Sequence, residues 1–128
     1  MGVDANSFVG YGIIVNDSLF NYEDVENEDK IFSWSFDEDN YGLSYNYSKA
    51  DEKGIEIIME PYSGNWTYIG VPFINKDIDK TIENLKTVKE KFEIAFKELM
   101  DTIPESEVSL RETLNKKIPQ IIEKSYYS

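Results

Sequence analysis

Cysteine and histidine are both missing from this chain, and their absence removes large areas of chemistry. Without thiols there is no disulfide, zinc–thiolate site, iron–sulfur cluster or cysteine nucleophile. Without imidazole the commonest general base and the commonest transition-metal ligand are gone, and a serine–histidine–aspartate triad cannot be assembled. Long apolar runs are missing too, since nothing approaches the ~20 residues that span a bilayer. Residues Met1 to Asn6 lack the basic and apolar regions of a secretion signal. Asn6 also stands where a myristoylation signal needs serine or threonine. The expectation is a cytoplasmic protein without membrane contact, in which the sequons at Asn16, Asn46 and Asn65 are chance matches. Basic side chains are scarce: 13 stand against 25 acidic ones, for a net charge of −12.

What is present is enough for a core. Hydrophobic residues make up 41% of 128 residues and aromatics 14%, which fits a single domain over residues 1–128 and argues against global disorder. The negative charge is uneven. Residues 1–75 hold 14 acidic and 3 basic side chains, whereas residues 76–128 hold 11 and 10. The densest stretch contains Asp17, Glu23, Asp24, Glu26, Glu28, Asp29, Asp37, Glu38 and Asp39 against Lys30 alone. Such a field repels nucleic-acid phosphates and anionic lipids, so direct binding to either is not expected; its natural complement is a basic protein surface. The bland alternative is a solvated acidic loop that keeps the chain soluble.

Strand patterns come first and helix patterns last, the order of an α+β fold. Phe8 to Val15 reads as a first strand punctuated by Gly10 and Gly12. Phe32, Trp34 and Phe36 alternate with serines, as do Leu43, Tyr45 and Tyr47 with polar residues, which predicts a hairpin with Asp37, Glu38 and Asp39 at its tip. A second hairpin is expected from 54–62 and 66–74, with Pro72 placing its return strand at an edge or ending it early. About five strands over residues 8–74 would form an antiparallel meander. Ile78, Ile82, Leu85, Val88, Phe92, Phe96 and Leu99 then recur at helical spacing, which predicts a helix over 77–102 capped by Asn75 or Asp77. Pro104 opens a second helix over 104–125, with Val108, Leu110, Leu114, Ile118 and Ile121 or Ile122 on its apolar face and Pro119 kinking or splitting it. Both helices are expected to cover one face of the sheet.

Several short motifs fail on inspection. Gly10-Tyr11-Gly12 lacks the third glycine and the following helix of a dinucleotide loop. Asp37-x-Asp39-x-Tyr41-Gly42 opens like a calcium loop, but Tyr41 stands where the fifth position needs an oxygen ligand, Ser48 stands where the twelfth needs glutamate, and the flanks read as strands, so no metal site and no cofactor is assigned. Asp51-Glu52-Lys53 holds the Asp-x-Lys fragment of metal-dependent nucleases, yet reads best as a polar turn. Paired carboxylates could run acid–base chemistry without histidine only if burial separated their pKa values; Glu56 and Glu60, on one face of a strand, are the mild exceptions to a set otherwise in loops. Tyrosine favours interfaces, so Tyr41, Tyr45 and Tyr47 beside the acidic tip form a candidate contact patch, while the phenylalanines and tryptophans are expected in the core.

The opening, Met1-Gly2-Val3-Asp4-Ala5-Asn6-Ser7-Phe8-Val9-Gly10-Tyr11-Gly12-Ile13-Ile14-Val15, resembles the start of small uncharacterised bacteriophage proteins, in which a short polar lead runs into a glycine-punctuated strand. That resemblance implies an inhibitor or host-takeover role against a basic host protein such as a nuclease or DNA-binding protein, in some cases by imitating DNA charge. It carries over no functional residue. The expectation is therefore a non-catalytic acidic binding protein whose contact residues are Glu23, Asp24, Glu26, Glu28, Asp29, Asp37, Glu38, Asp39, Tyr41, Tyr45 and Tyr47. A self-associating structural or assembly subunit is the alternative, with a carboxylate-dependent enzyme third.

Overall fold

The computed structural model describes residues 5–16, 20–24, 29–59, 66–73 and 77–127. Its architecture is α+β, as the order of patterns predicts, but the strands number seven, in two sheets. The larger is antiparallel and contains β1 (Ala5–Val15), β5 (Glu56–Met59), β6 (Thr67–Pro72) and β7 (Gln120–Tyr127) in the order β5-β6-β1-β7. The smaller orders β2 (Phe20–Asp24), β4 (Gly42–Tyr45) and β3 (Phe32–Ser35) as β2-β4-β3, and its β2–β4 pair is parallel. The parallel pair breaks the meander expected from sequence.

The acidic hairpin forms as anticipated, with Phe32 opposite Tyr45 and Ser35 opposite Gly42. The second hairpin forms too, as β5 against β6; its turn lies outside the described residues. Pro72 ends β6, but β6 is an interior strand flanked by β5 and β1, not an edge. Proline is tolerated there because the next ladder donor toward β1 is the Phe73 amide, which bonds the Val9 carbonyl, while on the other side the β5 pairing reaches only Gly70.

The long helix, α2 (Ile78–Thr102), starts at Asp77, whose carboxylate accepts from the amides of Asp79 and Lys80. That satisfies donors which the first turn cannot pair internally. Val88, Phe92, Ala95 and Leu99 bury its apolar face against Ile13, Ile69, Phe32 and Leu43. Ile78, Ile82 and Leu85 continue the stripe in sequence but are exposed, because the buried contacts of this helix begin only at Val88. Its far end is held by α3 (Val108–Asn115): the Arg111 guanidinium donates to the carbonyls of Met100 and Ile103, at 2.5 and 2.8 Å. A cation placed on the last carbonyls of a helix offsets its dipole and their unmet valences.

The second helix does not reach residue 125. It ends at Asn115, and residues 120–127 form β7, paired with β1 from Ala5↔Tyr127 to Gly12↔Gln120. Pro119 cannot continue a helix and clashes with the turn before it. Beyond it, Ile121 and Ile122 are β-branched and two tyrosines follow, so the segment gains more as a pleated strand. A short helix, α1 (Tyr47–Glu52), is likewise new, and it replaces the end of the strand expected through Ser48. Asn46 caps it by accepting from the Lys49 amide.

Glycines make room for a large side chain on the larger sheet. Tyr68 is paired with Ile14, yet its ring lies 4.3 Å from that of Phe8, six residues earlier on β1. The Tyr68 side chain covers much of that span by lying over Gly70 and Gly10, where a side-chain carbon would collide with its hydroxyl. A side-chain carbon on Gly12 would lie 2.1 Å from the Ile69 carbonyl oxygen and 2.6 Å from Gly70 Cα. This region holds a second, smaller core of Phe8, Trp66, Tyr68 and Ile122, with Ile14, Ile58 and Tyr126 packed on it.

Candidate functional site

Two regions of the surface gather polar chemistry. The first is the tip of the β3–β4 hairpin. Trp34, Phe36 and Tyr41 form a three-ring cluster, with centroids 5.6 to 6.5 Å apart and edge-to-face angles. Aromatic pairs prefer this arrangement, which sets the positive edge of one ring against the face of another. Phe36 remains 69% exposed and Tyr41 52% exposed. Alternation assigned Phe36 to the core, but the strand ends at Ser35 and the ring projects past the packed layer. Asp37, Glu38 and Asp39 are all exposed around it, and among the described residues none of them has an ion-pair partner. A bond from the Asn40 amide to the Asp37 carbonyl closes the turn. The Tyr41 hydroxyl donates to the Glu107 carboxylate at the start of α3, tying the tip to the helical layer; this bond raises the Tyr41 pKa above its usual value.

The remaining acidic candidates that are described lie on segments away from this tip. Asp24 is in register with Tyr45, at the opposite end of β4, about 10 Å from Gly42 at the strand's rise per residue. Glu23 precedes it on β2, and Glu26 and Glu28 lie outside the described residues. Asp29 is exposed near the base of the hairpin, where its carbonyl accepts from the Lys53 ammonium at 3.4 Å. The tyrosines divide as well: Tyr41 is at the tip, while Tyr45 and Tyr47 turn to a second region.

That second region is a cleft of about 340 Å³ between β5, the end of β4 and α1. Tyr45, Tyr47 and Tyr126 contribute rings to its lining, Pro72 lies on its floor strand, and the charged residues among its lining, Asp51 and Glu56, are both acidic. Glu56 is partly buried, and one of its carboxylate oxygens, Oε1, is buried without a hydrogen-bond partner. Burial pushes the Glu56 carboxyl above its ordinary pKa. Close by, the Tyr68 hydroxyl is fully buried and also unpartnered; burial, then the Glu56 charge, raises its pKa strongly. Desolvation disfavours the charged form of each group, and no donor offsets it. The Asp51–Lys53 fragment proves to be the last turn of α1 and the residue after it, so it builds no nuclease site. Among the described residues, no three acidic side chains converge as a metal-binding group, and no helix is long and apolar enough to cross a membrane.

The Glu56 environment fixes a pH dependence. Its folded-state pKa is raised above the unfolded value, so the native state holds the proton more tightly. The resulting stabilisation is complete below the unfolded pKa and is lost as pH rises through the folded one. Among the described residues, the other ionisable groups lining the cleft are Asp51 and Tyr47 from α1, Tyr45 from β4 and Tyr126 from β7, with Tyr68 of β6 close to Glu56. Glu56→Gln is expected to flatten the slope and add about 1 kcal/mol at neutral pH by removing a poorly solvated charge. Urea melts of both forms across the acidic range check it; an unchanged slope would mean that Glu56 is as well solvated as its neighbours.

Comparison with protein-family models, curated proteins and solved structures returns no match. The geometry alone therefore carries the functional reading. Sequence reasoning found the acidic tip and missed its apolar half, Trp34 and Phe36. The available signal was that Phe36 abuts three consecutive acidic residues, a position where a strand has already ended.

Proposed function

We propose that the protein is a non-catalytic binding module that docks the β3–β4 tip onto a basic protein surface. The observation that carries this reading is the exposed Phe36–Tyr41 pair ringed by Asp37, Glu38 and Asp39. Stable interfaces place a few aromatic anchors at the centre and charges at the rim. The anchors supply affinity by leaving water, and the carboxylates steer a positive partner into register. The Tyr41–Glu107 bond lowers the ordering cost on binding, because the tip is tethered before contact. The resemblance of residues 1–15 to small phage proteins adds the inhibitor role, with a host nuclease or DNA-binding protein as the target class.

The test is capture of host proteins at low and high salt, followed by kinetics on the purified partner. Phe36→Ala or Tyr41→Ala is expected to weaken binding about 30-fold, the scale of an anchor residue, chiefly through faster dissociation. Neutralising Asp37, Glu38 and Asp39 together is expected to slow association about 10-fold and flatten its salt dependence. A partner indifferent to salt and to all five residues would reject this reading.

A further inference from the structure

Of the surfaces outside the hairpin tip, the cleft beside β5 is the one whose lining specifies a ligand. Its walls bring together three tyrosines, Tyr45, Tyr47 and Tyr126, and two acidic residues, Asp51 and Glu56. Among the described residues that line it, none is basic. Aromatic faces carry negative potential and attract ammonium and guanidinium groups. A carboxylate in the same cleft adds a charged acceptor, and planar guanidinium fits it with two parallel bonds.

We infer that this cleft binds an organic cation, a guanidinium or alkylammonium group, with Glu56 as its acceptor and the three tyrosines as its cage. The unpartnered Glu56 Oε1 supports this independently of the lining. That oxygen is closed off from the cleft as well as from donors, so the cation acts on the carboxylate as a counter-charge, offsetting the poor solvation of its ionised form. The volume also fits, since about 340 Å³ lies near the lower end of the range that holds small ligands. Anions and nucleotides are disfavoured by the same two carboxylates. The inference does not depend on the hairpin tip, because the tip residues are not among those lining the cleft.

The experiment titrates the whole protein with N-butylguanidinium at constant ionic strength, following the tyrosine ring resonances by NMR, with N-butylurea as the neutral control. The expected result is saturable shifts at Tyr45, Tyr47 and Tyr126 with the cation and none with the urea. Glu56→Gln is expected to weaken binding at least about 10-fold while melting no lower than the parent, which separates lost recognition from lost folding. Neutralising Asp37, Glu38 and Asp39 should leave the titration unchanged. A blocked arginine tripeptide distinguishes the sources: binding as tight as the free cation indicates a side chain displayed by a protein, and its exclusion indicates a free small molecule. Equal response to the urea, no saturation, or full affinity in Glu56→Gln would overturn the inference, whatever the fate of the hairpin reading.

Discussion

Gly12→Ala is expected to abolish the cooperative fold, with a loss of at least about 3 kcal/mol from backbone overlap in a packed interior. The new methyl carbon would lie 2.1 Å from the Ile69 carbonyl oxygen and 2.6 Å from Gly70 Cα. Both obstacles are main chain, and both belong to the strand that β1 must pair with. The strands cannot separate locally without breaking the ladder that runs from Gly10 to Val15. Gly10→Ala differs in an informative way. Its nearest obstacle is the Tyr68 hydroxyl at 2.0 Å, with the Val71 carbonyl oxygen at 2.8 Å. Tyr68→Phe removes that hydroxyl, and with it a buried polar atom without a partner. Alone it should be neutral or add about 1 kcal/mol. Combined with Gly10→Ala it should restore part of the loss; combined with Gly12→Ala it should restore none. Urea melts of the three single and two double variants measure this, and a Gly12→Ala protein with the parent's midpoint would show that β1 and β6 are not so closely apposed.

How far the fold could be read in advance follows from the range of the interactions that decide each element. The β3–β4 hairpin is local: Phe32, Trp34, Leu43 and Tyr45 alternate within a few residues of their turn, and the pairing needs nothing distant. The helix α2 was equally legible, because Val88, Phe92 and Leu99 fall on one face and Asp77 caps it. The apolar stripe of its first three turns stays largely exposed for a global reason, since periodicity shows which face is apolar but not where the body beneath it ends. Ile78, Ile82 and Leu85 continue the pattern without a surface to meet. The helix α1 was hidden because the alternation of Leu43 and Tyr45 runs on to Tyr47, while the signal that ends it, Asn46 capping the Lys49 amide, is one hydrogen bond.

The candidate sites divide in the same manner. The acidic tip is contiguous in sequence and was visible there. The cleft is assembled from the end of β4, α1, β5, Pro72 and Tyr126, segments spread over roughly two-thirds of the chain, and no spacing rule connects them. Glu56 stood out only as a carboxylate within a strand, and alternation alone accounted for that. What distinguishes it is desolvation by neighbours that the topology supplies. Tyr45 and Tyr47 were grouped with Tyr41 by proximity in sequence, yet the hairpin carries Tyr41 to one end of β4 and Tyr45 to the other.

The C-terminal strand gives the second large effect. A chain ending at Lys117 is expected to lose cooperative folding altogether, because β7 pairs with β1 at eight positions and brings Ile122 and Tyr126 to the smaller core. Its removal would leave residues 5–8 of β1 with no described ladder partner, since the β6 side reaches only to Gly10 and, through the Phe73 amide, to the Val9 carbonyl. The loss is of the order of the whole stability of a small domain, about 5 kcal/mol or more. A helical C-terminus would have frayed at much smaller cost, so two point substitutions separate the alternatives. On a strand, Ile121 and Ile122 face opposite sides of the sheet, and here Ile121 is exposed while Ile122 is buried beside Phe8 and Tyr68. Ile122→Asp should therefore cost about 3 kcal/mol or more by burying an unpaired charge, and Ile121→Asp less than about 0.5 kcal/mol. Denaturant midpoints decide it: equal losses at the two sites would place both residues on one apolar face, as a helix would, and would contradict the pairing of β7 with β1.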